Sequence, residues 1–139
     1  MKNKTNKVVV INPETQSVYE AQIPAENSLQ HWYNTIGNGC ELVQVVLSIF
    51  DPFRRVDNAL LMDEEILLRP DDIKGGFVFE GRIYYNTAIF SGADNEGETC
   101  DTSIDVDMVN KHVQFISRED AVAYGQEVMD NYEPKIISI

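Results

Sequence analysis

The chain is poor in the residues that usually carry chemistry: 139 residues hold two cysteines, two histidines and one tryptophan. Cys40 and Cys100 are too few for a disulfide scaffold, and a reducing compartment would keep them as thiols. His31 and His112 are scattered singly, so these four residues lack the short fixed spacing of a zinc site. No apolar run approaches the roughly 20 residues needed to cross a bilayer. The opening MKNKTNK is basic but leads into one short strand instead of a signal-peptide core. These absences set the expectation of a cytoplasmic protein with no membrane partner. Cations are scarce as well, with 11 Lys and Arg against 23 Asp and Glu and a net charge of −12. Neutralising phosphates takes clustered Lys and Arg. Here the only basic groupings are Lys2, Lys4 and Lys7 at the terminus and the pair Arg54 and Arg55. Direct binding of nucleic acid is therefore not expected. Gly75 and Gly76 precede Phe77 without a P-loop lysine or a GxGxxG, so no phosphate cradle is recognisable and no cofactor is implied.

What is present is an ordinary globular composition, 43% hydrophobic and 24% charged, in a length that suits one domain. Residues 1–6 read as a flexible basic arm and 7–139 as the domain. Lys7 to Ile11 and Ser17 to Ile23 form a hairpin around Pro13. Asn27 or Ser28 caps a short helix bearing Leu29, Trp32, Tyr33 and Ile36 at helical spacing, with Trp32 as a core anchor. Glu41 to Ile49 reads as a mostly buried strand, Phe50 to Asp57 as a loop around Pro52, and Asn58 to Met62 as a second strand. Phe77 to Phe79 and Arg82 to Tyr85 flank Glu80 and Gly81 as a tight hairpin, and Thr87 to Ser91 is another strand. A short helix over Ile104 to His112 and a brief strand over Gln114 to Ile116 follow. Ser117 and Asp120 resemble a capping box for a terminal helix whose face is Ala121, Tyr124, Val128 and Tyr132. The closing Lys135 to Ile139 is an apolar tail able to add a strand to its own sheet or to a neighbour's. Strands and helices mix without a βαβ rhythm, which argues for an α+β domain with a largely antiparallel sheet.

The acidic turn Met62 to Glu65 (MDEE), the stretch Phe77 to Asp101 (FVFEGRIYYNTAIFSGADNEGETCD) and the acidic helix after it resemble DUF3846, a family of small phage and mobile-element domains of unassigned function. Asn86, Gly92, Asp94 and Gly97 are the best-matched positions, and the layout covers residues 7–116; the helix and tail over 117–139 lie beyond it. The resemblance implies an accessory role inside a bacterial host and transfers no catalytic residue.

Asp94 to Asp105 has carboxylates two residues apart but departs from an EF-hand, where glycine stands sixth and a bidentate Glu twelfth. Asp94, Asn95 and Gly97 read more simply as a turn whose side chains bond local backbone. A helix C-terminus would raise the thiol pKa of Cys40, the wrong direction for a nucleophile. With so many carboxylates, a hydrolytic pair among them is uninformative; a hydrolase is the third expectation. Arg54, Arg55 and Arg82, with Arg69, Tyr84, Tyr85 and Trp32, could form a pocket that stacks a base and pairs a phosphate, which makes a small-ligand or nucleotide binder the second. The leading expectation rests on charge. From Asp94 to Glu133 eleven carboxylates face only Lys111 and Arg118. Ten of them, Asp94, Glu96, Glu98, Asp101, Asp105, Asp107, Glu119, Asp120, Glu127 and Asp130, are candidates for an acidic, DNA-mimic-like surface that steers toward a host protein with a basic cleft. The competing reading is that acidity merely keeps the protein soluble.

Overall fold

A computed structural model describes residues 4–130. The chain runs β1 (Thr5–Asn12), β2 (Ser17–Pro24), α1 (Ser28–Ile36), β3 (Val43–Asp51), β4 (Val56–Asp63), two single 3-10 turns (Ile66–Leu68 and Pro70–Asp72), β5 (Gly76–Phe79), β6 (Arg82–Tyr85), β7 (Ala88–Ala93), β8 (Thr99–Cys100), α2 (Val106–His112), β9 (Gln114–Ile116) and α3 (Arg118–Asp130). This is the α+β, antiparallel architecture the sequence predicts. The central sheet has the order β2-β1-β7-β4-β3, with the short β8 added beside β7; a second sheet has the order β6-β5-β9.

Alternation on β1 shows how the core is divided. Val9 and Ile11 turn to one face, where they pack with Leu60, Phe90, Phe77, Phe79, Tyr84 and Val109, so the small sheet and α2 cover this side. Val8 and Val10 turn to the other and meet Ile23, Ile89 and Ile36, with Trp32 alongside, so α1 covers that side. A strand buried on both faces reads as the continuous apolar run VVVI rather than as an alternation. Each large side chain removed from water here contributes about 1.5–3 kcal/mol, and the Phe79 and Phe90 rings meet edge to face at 5.8 Å, a favoured aromatic geometry. A third cluster, Ile66, Ile73, Tyr85 and Ala121, seats α3 on the 3-10 turns.

Several local expectations change. β1 starts at Thr5 and Asn6 is buried within it, so the predicted arm of residues 1–6 is shorter by those two residues. The segment Phe50 to Asp57 is mostly strand: β3 runs to Asp51 and β4 begins at Val56, and Pro52 sits in the turn, where it interrupts no ladder. β3 has no fully buried residue and is the edge of the sheet, because an unbroken apolar run does not tell a core strand from an exposed one. Asn27 is the N-cap of α1 but makes no side-chain capping bond, being itself in the left-handed region. In α3 the buried positions are Ala121 and Gly125, while Tyr124 and Val128 are 45% and 50% exposed. Tyr132 and the tail Lys135 to Ile139 lie outside the described residues. The hairpin at Glu80 and Gly81 is as predicted, with φ of 52° and 75°, the two positive values of a tight two-residue turn.

Candidate functional site

Two surfaces carry the charged residues singled out from the sequence. The first is α3. Ser117 Oγ accepts the Asp120 N–H at 3.1 Å, the capping bond the sequence predicts. The helix then lies close to its seat, since a Cβ at Gly125 would stand 3.0 Å from Leu67 Cδ2. At about 100° per residue, Glu119, Asp120, Glu127 and Asp130 fall within one arc of roughly 100°, with Tyr124 and Val128 beside it. All four carboxylates are exposed, and among the described residues none is within 4 Å of a cation.

The other six predicted acids are elsewhere. Asp94 ends its strand in a turn, accepting the N–H groups of Glu96 at 2.9 Å and Glu98 at 3.0 Å, which is the local-backbone role expected of it. Asp101 Oδ1 accepts the Lys7 N–H at 2.7 Å, and Asp105 caps α2 by accepting the Asp107 N–H. These residues belong to the end of the sheet where Ala93 pairs with Asp57. α3 is anchored at the opposite end, where Gly75 abuts Pro13 and the Arg118 Nε–H donates to the Ile73 carbonyl. The predicted acidic surface is thus split into a group of six near the β7–β8 turn and a stripe of four on α3.

The arginine and tyrosine pocket does not assemble. Tyr84 is buried against Phe77, ring centroids 5.2 Å apart, and Tyr85 turns the other way into the third cluster. Burial raises both phenol pKa values. Trp32 lies across the central sheet from Tyr84. Arg69 is fixed between Asp63 and Asp72. Arg82 lies beside the edge of β3, and Arg55 is exposed in the β3–β4 turn. Arg54 lines a different cleft, of about 630 Å³, with Lys4, Lys7, Thr102 and Ser103. Among the described residues Lys7 and Arg54 have only loose partners, Glu20 at 4.0 Å and Asp51 at 3.8 Å. Two N–H groups at the turn, those of Phe53 and Arg54, bind Asp51 Oδ1. The Arg54 N–H and the Ser103 hydroxyl hold the Asp51 carboxyl below the ordinary carboxylate value.

Below this cleft sits a residue that was not singled out from the sequence. Asn58, fully buried, donates from Nδ2 to Ser103 Oγ at 2.8 Å and the Ile49 carbonyl at 3.1 Å, and accepts at Oδ1 from Thr102 Oγ1 at 2.6 Å and the Ser103 N–H at 3.0 Å. The signal was available, because alternation puts Asn58 on the same face as Leu60 and Met62, where an amide must be fully hydrogen-bonded. Asn86 has a similar part at the other end. In the left-handed region at φ 64°, it donates to the Asp72 carbonyl and accepts from the Lys74 N–H, pinning the loop before β5. Cys40 is held mainly by burial, and next by Asp63, at a thiol pKa of about 11, far from a nucleophile's range. Among the described residues no three His, Cys, Asp or Glu side chains converge as metal ligands, and no helix is long and apolar enough to cross a membrane.

Compared with family models, with curated proteins and with solved structures, the chain matches none.

Proposed function

We propose that this is a non-catalytic binding protein whose α3 stripe engages a basic surface on another protein. The observation that carries this reading is the clustering of Glu119, Asp120, Glu127 and Asp130 in one exposed arc, free of cations among the described residues, beside the half-exposed Tyr124 and Val128. Charge flanking apolar surface suits a protein interface: charge steers the encounter, and the desolvated apolar side chains hold the complex. Spacing favours a basic protein over close imitation of DNA. Four carboxylates along eleven residue steps of helix give one charge per about 5.5 Å, against one phosphate per about 3.4 Å along a DNA strand. The resemblance to DUF3846 supports an accessory role for a phage or mobile element inside the host cytoplasm, with a host nucleic-acid-binding or defence protein as the basic partner.

The test is affinity capture from bacterial lysate at low and high salt, run beside a variant with Glu119→Gln, Asp120→Asn, Glu127→Gln and Asp130→Asn. Basic proteins retained at low salt, released at high salt and missed by the variant are the expected result. A capture profile that the variant leaves intact would dismiss the reading.

A second reading has its own observation, the cleft lined by Lys4, Lys7 and Arg54 beside the Thr102 and Ser103 hydroxyls. Three cations against the single Asp101 carboxylate in the same lining suit a phosphate-bearing small molecule. It replaces the arginine and tyrosine pocket as the ligand-binding alternative. Thermal shift with inorganic phosphate and a nucleotide panel decides it, and no shift at millimolar ligand removes it.

A further inference from the structure

We propose that the outer edge of β3 is a self-docking strand, through which two copies of the chain pair antiparallel into one continuous sheet. This surface is independent of α3 and of the cleft.

The two edges of the central sheet are protected unequally. β2 carries Glu20, ends at Pro24, and has both α1 and α2 packed against it. β3 is nine residues long and has neither charge nor proline from Val43 to Phe50 (VQVVLSIF). Charges, prolines, shortness or a covering element are what keep an edge strand from recruiting another strand. From Val43 to Phe50 β3 has a register shift between Val45 and Leu47 in place of a charge or a proline. That irregularity leaves Leu47 to Asp51 in regular pairing with β4, and its other edge has no partner among the described residues. Val45 is 54% and Phe50 61% exposed, so apolar surface adjoins the free backbone groups.

The occupant follows from self-complementarity. An isologous pair needs one patch that fits itself about a two-fold axis. With the axis near Leu47, each Asp51 falls opposite the other copy's Val43, so no acid faces an acid. A shallow groove of about 480 Å³ runs along Val45 to Ser48 and is flanked by Glu80 and Arg82 from the β5–β6 turn. One acid and one base beside the axis let Glu80 of each copy meet Arg82 of the other, twice over. Each chain carries a net charge of −12, so two copies repel at long range. This neutral strand with its balanced flank is where close approach is least opposed.

The test is the mass of the full chain by light scattering and sedimentation over a concentration series reaching about 100 µM, the range appropriate to a small interface of micromolar affinity. The expected species is a dimer of the 15.8 kDa chain, strengthened by added salt because screening weakens the repulsion between acidic copies. Val45→Lys and, independently, Gln44→Lys place a charge on the exposed edge and should each return the monomer, with loss of amide exchange protection along β3. Arg82→Glu should weaken the dimer roughly two- to fivefold, and the double variant Glu80→Arg with Arg82→Glu should restore it, since the swapped pair remains complementary across a two-fold. A wild-type chain that is monomeric throughout the series would overturn the proposal. So would a dimer that both lysine variants leave intact.

Discussion

The two ends of the central sheet fix their loops with different chemistry. At the end where β7 leaves the sheet, a neutral amide does the work: Asn58 makes four hydrogen bonds and ties residues 102 and 103 under β4. At the other end a second amide, Asn86, is joined by ions. Arg69 reaches Asp63, which is almost wholly buried, donates to Asp72 at 2.8 Å through Nε, and donates to the Asn38 carbonyl through Nη2. The amide keeps its partners at any pH and salt, and its value lies in complete satisfaction. The ion group has to offset the cost of drying a carboxylate, so it is worth less than its geometry suggests and is costly to break from one side.

The largest expected effect comes from breaking the ionic end unevenly. Arg69→Ala strands Asp63, and since Arg69 keeps 28% of its side chain in water the loss sits near the lower end of the range for a broken buried pair, about 3 kcal/mol by urea denaturation. Replacing both partners, Asp63→Leu with Arg69→Met, should recover most of that loss; a double variant as unstable as Arg69→Ala would mean the group is needed for more than mutual neutralisation. Asn58→Ala comes next. It leaves the Thr102 hydroxyl and the Ser103 N–H without their acceptor, at about 1–3 kcal/mol for a buried unmade bond. Its stability deficit should stay constant between low and high salt, whereas that of Arg69→Ala should vary. Equal salt responses would erase the contrast between the two ends. Ser117→Ala removes the α3 cap at about 1 kcal/mol and should lower exchange protection in α3 without disturbing either end of the sheet. The smallest effect is a rate. With its thiol pKa near 11, Cys40 should be alkylated slowly near neutrality and faster as pH climbs toward that value, and Arg69→Ala should slow it further by removing a nearby cation.

Much of this plan was legible in the residues. Turn chemistry located the hairpin at Glu80 and Gly81, and a cap signal located the start of α3, because both rest on local backbone demands that particular side chains meet. Burial was harder to read. VVVI in β1 and VQVVLSI in β3 look alike, yet one is the middle of a sheet and the other its edge, since position in a sheet is decided by partners far along the chain. The arginine and tyrosine pocket fails for a local reason that the predicted strand already contains: Tyr84 and Tyr85 are adjacent in sequence and therefore point to opposite faces of β6. The acidic tract looked like one surface because it is continuous in sequence, and the fold divides it between two ends. Asn58 went unmarked, and Asp63 reads from the sequence as part of an acidic turn, although it is the last residue of β4 and almost wholly buried, where burial obliges a partner.

The position of β7 has a consequence for how the molecule is made. It lies between β1 and β4, joining two hairpins that are complete long before it in the chain. During synthesis the hairpins β1–β2 and β3–β4 exist with nothing to unite them, each with an inner strand edge open to solvent. The sheet can close only after residue 93 has left the ribosome, so that interval is when this chain is most exposed to mispairing and most in need of a chaperone.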